Sequence, residues 1–252
     1  VVLGLSGGVD SALVAAIAAD AVGPENVLAV MMPTRFTADL SQELAQKCAQ
    51  NLGVDYVMRP IEPLFAAFMD LLKDDFAGRK WSEAEENLQA RIRGTLLMAY
   101  SNKFSRLVLT TGNKSESAVG YSTLYGDTAG AFAPLKDVLK TEVWALCREV
   151  NARAGFERIP QAIIDRAPSA ELREGQVDEQ SLPRYSILDQ IIAAYVEKGR
   201  SVDEIVKSGF ERAVVGRVVR LIHRSEYKRR QCPVGPKISR AAFGSDWRFP
   251  MT

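Results

Sequence analysis

The sequence predicts an α/β protein with a doubly wound parallel sheet and a helical extension at its C-terminal end. Within residues 1–159, short apolar runs alternate with segments of helical periodicity, and a glycine-rich turn follows the first run. A β-α-β-α order of this kind is typical of a parallel sheet with helices on both faces. Beyond Pro160 the chain becomes more polar and is punctuated by proline. We therefore predict a core of residues 1–159 and an extension of residues 160–252 within the same domain.

Four strands are predicted from apolar runs, at residues 1–5, 26–32, 54–58 and 106–110. The predicted helices cover residues 12–19, 38–52, 61–76, 82–103, 137–151, 184–198, 202–207 and 211–224. Gly53 is placed to end the second helix, and Ser82 with Glu85 matches a capping box at the start of the fourth. In a doubly wound sheet, ligands bind outside the carboxyl ends of the strands.

The composition of the 252-residue chain limits the class of function. Lys and Arg number 32 and Asp and Glu number 31, so no overall field favours a nucleic acid partner. No apolar run approaches the length of a membrane span. Cys48, Cys147 and Cys232 are widely spaced, which predicts reduced thiols in a cytoplasmic protein. His223 is the only histidine, which argues against an imidazole-based centre; we expect it on the surface of a late helix.

The segment from Ser6 to Ser11, with the sequence S-G-G-V-D-S, predicts a binding site for phosphate. It leads from the first strand into a helix, whose N-terminus carries unpaired N–H groups and the positive end of the dipole. Gly7 and Gly8 let the backbone approach a ligand closely, and the serines add hydroxyl donors. A simple helix N-cap is the alternative, but it does not explain two glycines and two serines at this spacing.

Asp10 distinguishes this loop from the common nucleotide-binding loops. No lysine follows Gly8 as a Walker A loop requires, and the glycine spacing does not fit a dinucleotide fingerprint. A carboxylate beside phosphates requires a bridging cation, for which Mg²⁺ is the best match. A second loop, T-G-N-K-S-E at residues 111–116, follows the fourth strand, so Glu116 is expected at the same edge as a second carboxylate. Alternatively, Glu116 only complements the dipole of its own helix.

Three later segments have a less definite interpretation. Residues 120–134 are rich in glycine, serine and threonine, which indicates an ordered functional loop or a flexible lid. Residues 176–183 are polar and acidic, and we expect them to become ordered with substrate. The basic residues 228–230 form either a solvated face or a clamp for a phosphate-bearing substrate, and the sequence favours neither.

Several motifs in a fixed order resemble those of a known family. The S-G-G-x-D-S loop resembles the pyrophosphate loop of the ATP-pyrophosphatase superfamily, whose sheet is of the adenine nucleotide alpha hydrolase type. Five further motifs make essentially the whole chain look like NAD synthetase; they occupy residues 86–94, 111–116, 124–127, 168–172 and 226–230. The segment 228–237, the aromatic-rich tail at 242–248 and the residues Leu124 and Ala131 are most similar to the synthetase domain of its glutamine-dependent branch.

This resemblance implies an ATP-dependent amidation of nicotinic acid adenine dinucleotide (deamido-NAD). ATP adenylates the nicotinate carboxylate with release of pyrophosphate, and ammonia then displaces AMP to give NAD. Asp10 and Glu116 are the implied Mg²⁺ ligands, and with Lys140 the implied catalytic residues. Lys140 stands near a helix start, where a cation opposes the dipole; this favours an anionic partner over a solvated lysine. The implied ATP contacts are Gly4, Leu5, Ser6, Gly7, Gly8, Val9, Asp10, Ser11, Thr111, Lys140 and Ser169.

The same resemblance implies a second set of contacts, to deamido-NAD: Asn87, Arg91, Glu116, Tyr121, Ser122, Thr123, Leu124 and Lys228. The helix that carries Arg91 and Arg93 lies at a subunit interface in the family, so we expect a homodimer or a higher homo-oligomer. The glutamine-dependent branch makes its ammonia in a nitrilase-like glutaminase domain, and nothing in this chain resembles that domain. Either such a domain precedes Val1 in the full protein, or this domain uses free ammonia.

Two other classes of protein compete with this interpretation. A GMP synthetase-like or tRNA-modifying ATP-pyrophosphatase would need its own dimerisation domain, a basic RNA-binding module or zinc-binding cysteines, and the sequence shows none of these. A non-catalytic nucleotide-binding module of the universal-stress or electron-transfer flavoprotein type could share the fold, but it would not need both Asp10 and Glu116.

Overall fold

The computed structural model describes residues 1–251, and its centre is a four-stranded parallel sheet. The strands are β1 (Val2–Gly4), β2 (Leu28–Met31), β3 (Asp55–Met58) and β4 (Val108–Leu109), in the order β3-β2-β1-β4. All three strand pairs are parallel, with Leu3 opposite Ala29 and Leu109. The predicted fold class is therefore confirmed.

Within residues 1–251 there are eleven α-helices; eight correspond to the predicted helices with shifts at their ends, and the three short ones at residues 114–119, 161–165 and 226–229 were not predicted. They are α1 (Val9–Val22), α2 (Asp39–Leu52), α3 (Glu62–Leu71), α4 (Glu83–Phe104), α5 (Lys114–Val119), α6 (Lys140–Ala154), α7 (Gln161–Asp165), α8 (Tyr185–Ile192), α9 (Val202–Lys207), α10 (Arg212–Arg224) and α11 (Glu226–Arg229). A π-helical turn at Ala193–Glu197 continues α8, and short 3₁₀ turns lie at Pro24–Asn26 and Asp178–Gln180. The division at residue 159 stays a prediction.

The sheet is covered by helices on both faces because successive strand residues point to opposite sides. Leu3 and Leu5 pack with α1, α2 and α6 in one core, whereas Val2 and Val30 pack with α3 and α4 in another. A third core joins α5 to the C-terminal helices α8, α9 and α10. Within residues 1–251, no helix is both long and apolar enough to cross a bilayer.

Local signals fix several helix ends as predicted. The Ser82–Glu85 capping box is present at the start of α4, and Gly53 ends α2 in the left-handed conformation. Two predicted boundaries are wrong. The third helix ends at Leu71 rather than at residue 76, and the chain continues in turns. Asp137 does not begin α6, which starts at Lys140.

Asp137 lies before α6 because its carboxylate has distant partners. It accepts hydrogen bonds from the backbone N–H groups of Ile238 (2.9 Å) and Ser239 (2.7 Å). The start of α6 is instead stabilised by Glu142, which accepts from the N–H of Leu139.

The strands are added on both sides of β1: β2 and β3 lie on one side of it, and β4 lies on the other. The loops that follow β1 and β4 therefore flank one crevice, where ligands of such sheets bind. Beyond β4, the edge is extended by parallel bridges from Leu109 to Phe132 and from Phe132 to Val234. Ala133 donates its N–H to the carbonyl of Val234 at 2.8 Å.

Candidate active site

A crevice of about 300 Å³ opens at the carboxyl ends of the strands. Its walls come from the loops after β1 and β4, from one face of α4, and from the segment 166–172. Every predicted ATP contact lines this crevice: residues 4–11, Thr111, Lys140 and Ser169. The sequence order alone separates these groups by as many as 165 positions, and the sheet brings them together.

The loop after β1 presents backbone N–H groups to the crevice. Gly7 adopts a φ of +79°, and a Cβ there would collide with the carbonyl oxygen of Ser41. Within residues 1–251, no side chain caps the start of α1 at Gly8, so its first N–H groups stay available to an anion. Ser11 accepts from the N–H of Ser6 (3.2 Å) and donates to the carbonyl of Gly8 (3.0 Å), which fixes the shape of the turn.

Asp10, Glu116 and Lys140 meet at the floor of the crevice. The ammonium group of Lys140 contacts an oxygen of Asp10 and lies 3.2 Å from Glu116 Oε1. Asn113 donates from Nδ2 to the other oxygen of Asp10 at 2.8 Å and also caps α5, so one side chain orients both segments. Lys140 is nearly enclosed, at 3% exposure, whereas the two carboxylates keep 16% and 18%.

Burial and mutual attraction shift the proton affinities in this cluster. Burial raises the pKa of Glu116 to about 8, despite the opposing attraction of Lys140. Burial alone would lower the pKa of Lys140, but Asp10 and Glu116 outweigh it, so this pKa is raised and the side chain stays charged. A buried carboxylate with a high pKa gives up its proton when a cation binds beside it.

The cluster fits a magnesium ion held together with phosphate. Mg²⁺ commonly takes one or two carboxylates and completes its shell with water and substrate phosphates. Asp10 and Glu116 point oxygen atoms at one position, which the ammonium group of Lys140 marks. Across residues 1–251, no group of three or more His, Cys, Asp or Glu side chains is arranged to hold a metal ion.

The predicted deamido-NAD contacts divide into two groups. Glu116, Tyr121 and Thr123 line the crevice. The other five lie beside it and are joined by hydrogen bonds: Asn87 accepts from Thr123 (2.6 Å), Arg91 donates to the carbonyl of Leu124 (3.2 Å), and Lys228 donates to the carbonyl of Ser122 (2.7 Å). Ser122 also lines a smaller pocket of about 30 Å³ that adjoins the crevice at Glu116.

The basic run at 228–230 makes several contacts within the protein. Arg229 is buried, pairs with Glu226 and donates to the carbonyl groups of Ala118 and Ile222. Arg230 is exposed and pairs with the same Glu226. This segment therefore fastens α11 to α5, and His223 lies on the exposed surface of α10 as expected.

Several crevice residues were missed by sequence reasoning because no local pattern marks them. Asp178 is buried and accepts from the hydroxyl groups of Tyr185 (2.9 Å) and Tyr121 (3.1 Å). Arg166 pairs with Glu171 at 2.7 Å, and both contact Ser41 at the start of α2. Glu171 has a φ of +50°, a conformation rare outside glycine.

Asp127 is a further carboxylate that sequence reasoning left without a role. It lines both the crevice and the smaller pocket. Its side chain is exposed to these two openings, and protein groups lie close on its other sides. One oxygen accepts from the N–H of Thr123. The enclosing protein raises the pKa of Asp127 to about 6, against the lowering effect of that hydrogen bond.

Comparison with known proteins shows which family this chain resembles. A profile described as NAD synthase matches residues 1–232. A glutamine-dependent NAD(+) synthetase from Thermotoga maritima is 53% identical over 252 residues, which is 100% of this chain and 44% of that protein. The chain therefore spans about half the length of the curated relatives it matches.

Two solved structures extend the comparison. A glutamine-dependent NAD+ synthetase from Acinetobacter baumannii, in complex with ADP, is 47% identical with a TM-score of 0.66 over 100% of this chain and 45% of that one. An NH3-dependent NAD synthetase from Campylobacter jejuni, in complex with nitrate, is 30% identical with a TM-score of 0.69 over 90% of this chain and 85% of that one.

Proposed function

This chain belongs to the NAD synthase family, and we propose that it catalyses the ATP-dependent amidation of deamido-NAD to NAD, with release of AMP and pyrophosphate. The observation that carries the proposal is the convergence of Asp10, Glu116 and Lys140 beside the uncapped start of α1. A site of this kind concentrates fixed positive charge and a cation-binding pair of carboxylates where a triphosphate would lie.

In the first step, a carboxylate oxygen of deamido-NAD attacks the α-phosphorus of ATP, and pyrophosphate leaves with the bonding electrons. The loop at residues 6–11 and the ammonium group of Lys140 stabilise the negative charge that develops on the departing phosphates. Asp10 and Glu116 would hold Mg²⁺, which when bound would neutralise phosphate charge as a Lewis acid. The dinucleotide lies along Tyr121 and Thr123 and the adjoining residues Asn87, Arg91 and Lys228.

In the second step, ammonia attacks the acyl carbon, AMP leaves with the bonding electrons, and the nitrogen loses one proton. Attack by neutral ammonia depends chiefly on positioning and on the exclusion of water. Asp127 faces both the crevice and the small adjoining pocket, so it is placed to attract ammonium and to accept its proton. A carboxylate with a pKa near 6 accepts a proton more readily than an ordinary aspartate.

The surroundings of the site support three further parts of the proposal. We propose that the ammonia comes from glutamine through a separate glutaminase domain in the full protein, as the names of the longer relatives suggest. The three cysteines are free, which supports a cytoplasmic location. Exposed apolar side chains on α3 and α4, including Leu71 and Phe104, support a homodimer.

The decisive experiment supplies this chain with ATP, Mg²⁺ and deamido-NAD, and with ammonium chloride or glutamine as nitrogen donor. We expect NAD and AMP in equal amounts with ammonium and none with glutamine. Asp10→Asn and Glu116→Gln are the matched variants, and both should lose turnover while ATP still binds. Turnover that is unaffected by either variant would contradict the assigned site. If ATP binds but no NAD forms with ammonium, the proposed reaction is wrong for this chain.

A further inference from the structure

The first turn of α5 contacts a different part of the molecule through each of four consecutive residues. Asn113 bonds Asp10 in the loop after β1, and Glu116 contacts Lys140. Ser115 bonds Asp189 in α8 and accepts from the N–H of Lys140 at 2.9 Å. Lys114, between them, points away from the crevice, and the proposed reaction assigns it no role.

Lys114 is fully buried and its ammonium group is saturated. It lies 2.8 Å from Asp137 Oδ1 and 2.7 Å from Glu197 Oε1, and it donates to Ser239 Oγ at 2.6 Å and to the carbonyl of Ala241 at 2.9 Å. A buried ammonium ion is tolerated only with such full pairing. Two of its partners belong to the C-terminal segment 238–241.

The same lysine joins the two segments that carry the magnesium-binding cluster. Its backbone N–H donates to the carbonyl of Val138 at 2.8 Å, and its side chain holds Asp137, three residues before Lys140. Glu116 lies two residues after Lys114 in the same capped turn. The separation between Glu116 and Lys140 therefore depends on the contacts that Lys114 makes.

We propose that Lys114 is a positioning residue, which holds Glu116 and Lys140 in register for Mg²⁺-ATP and makes that register depend on the C-terminal segment 238–241. Asp137 completes the connection, because its carboxylate accepts from Lys114 and from the backbone and hydroxyl of Ser239. The inference rests on the proposed function for the identity of the ligand, but the arrangement of the residues does not depend on turnover.

The test measures ATP binding by titration calorimetry with and without Mg²⁺, in the absence of deamido-NAD. The measured quantity is the gain in ATP affinity that Mg²⁺ provides. We expect Lys114→Met to reduce this gain by at least about fivefold, while ATP alone binds as in the native chain. Lys237→Met is the matched control, because Lys237 is a tail lysine with a single exposed partner, Asp246; it should leave the gain unchanged.

The melting curve of Lys114→Met shows whether it is folded. The inference would be overturned if the folded variant showed the same Mg²⁺-dependent increase in ATP affinity as the native chain. It would also be overturned if Mg²⁺ did not change the ATP affinity of the native chain. If Lys114→Met does not fold, Ser239→Ala provides the test, because it keeps both carboxylates and removes only the hydroxyl of the C-terminal segment. We expect the Mg²⁺-dependent increase in ATP affinity to fall about twofold in this variant. An unchanged gain in Ser239→Ala would then overturn the inference.

These outcomes separate the two proposals. Suppose that the native chain makes no NAD, but Lys114→Met reduces the Mg²⁺-dependent increase in ATP affinity. This result would contradict the proposed reaction and support the positioning role. A chain that makes NAD and whose gain is unchanged in the folded variant supports the reaction and overturns the positioning role. In active protein, kcat should fall more in Lys114→Met than KM for deamido-NAD rises, because Glu116 is the one predicted dinucleotide contact in the turn that Lys114 fixes.

Discussion

Lys114 and Lys140 provide a direct comparison between a structural and a functional region of the molecule. Each is the first residue of a helix, where a cation opposes the helix dipole, and each contacts two carboxylates. Of the two carboxylates around Lys114, Asp137 is sealed at 1% exposure and Glu197 keeps 19%, and both share the lysine with a hydroxyl and a carbonyl. Those around Lys140 open to the crevice. The same charges therefore fix the structure where they are saturated and can exchange partners where solvent reaches them.

The largest expected effect is that replacing Lys114 costs more stability than replacing Lys140, whereas replacing Lys140 costs more turnover. Lys114→Met should lower the free energy of unfolding by about 3–5 kcal/mol, because Asp137 is left buried without its partner. Lys140→Met should lower it less, since water from the crevice can solvate Asp10 and Glu116. In turnover the order reverses, and Lys140→Met should reduce kcat by roughly 10²–10³-fold. Denaturant unfolding of both variants checks the prediction on stability, and NAD formation checks the prediction on turnover.

The Lys114→Met/Asp137→Asn double variant is the control for the predicted loss of stability in Lys114→Met. It removes both charges of the buried pair, so we expect it to recover part of the loss. Equal stability losses in the two single variants would contradict the comparison, because they would show that the crevice does not solvate its carboxylates.

A smaller effect concerns the backbone that shapes the open region. Gly7→Ala should weaken ATP binding, because it forces a left-handed residue, at roughly 1–2 kcal/mol, and places a Cβ against the carbonyl of Ser41. Gly155→Ala is the matched control, since Gly155 has the same left-handed conformation (φ +74°) but ends α6 outside the crevice, and its Cβ would meet nothing within 4 Å. ATP titration checks both; similar weakening in the two variants would show that the clash does not shape the loop.

The smallest effect is a pH dependence at Asp127. Its pKa of about 6 in the folded protein lies above the value of about 3.9 for an unfolded aspartate, so folding favours the protonated form. Stability from this group is present below about pH 4 and is lost as the pH rises through about 6. Asp127→Asn should therefore melt above the native chain at pH 7 by about 2–4 °C, after discounting for the exposed side chain, and by less at pH 4.5.

Thermal melting at the two pH values, with the exposed Asp55→Asn as a control for surface charge, checks this expectation. The same variant should raise KM for ammonium if Asp127 receives the nitrogen donor. A melting difference that is independent of pH would show that the carboxylate is fully solvated, and would remove the reason to assign it the proton.

Sequence reasoning succeeded where one short segment contains the whole signal. Gly53 ends a helix because its left-handed conformation needs no partner, and Ser82 begins one because its own side chain and that of Glu85 complete the cap. The residues of the S-G-G-V-D-S loop lie together for the same reason. The crevice was also predictable, because the order of strands and helices places the loops after β1 and β4 at one edge.

The failures share the opposite cause, since their partners are distant in the chain. Asp137 resembles a helix start, but the donors that hold it follow about a hundred residues later, at Ile238 and Ser239. Asp178 and Arg166 reach the crevice only because the segment after α7 folds back over it. Lys114 and Lys140 have the same local pattern, so only the tertiary structure shows that Lys114 pairs with the sealed Asp137 and that Lys140 pairs with carboxylates lining the crevice.

The edge of the sheet has a consequence for the order in which the molecule assembles. Leu109 pairs with Phe132, and Phe132 pairs with Val234, so the last bridge joins segments about a hundred residues apart. Loops of that length close slowly, because their entropy must be lost before the contact forms. During synthesis, β1 to β4 can pair while the later residues are still being added. The cluster that needs residues 238–241 must wait, so the sheet should gain protection from hydrogen exchange before the crevice can bind its ligand.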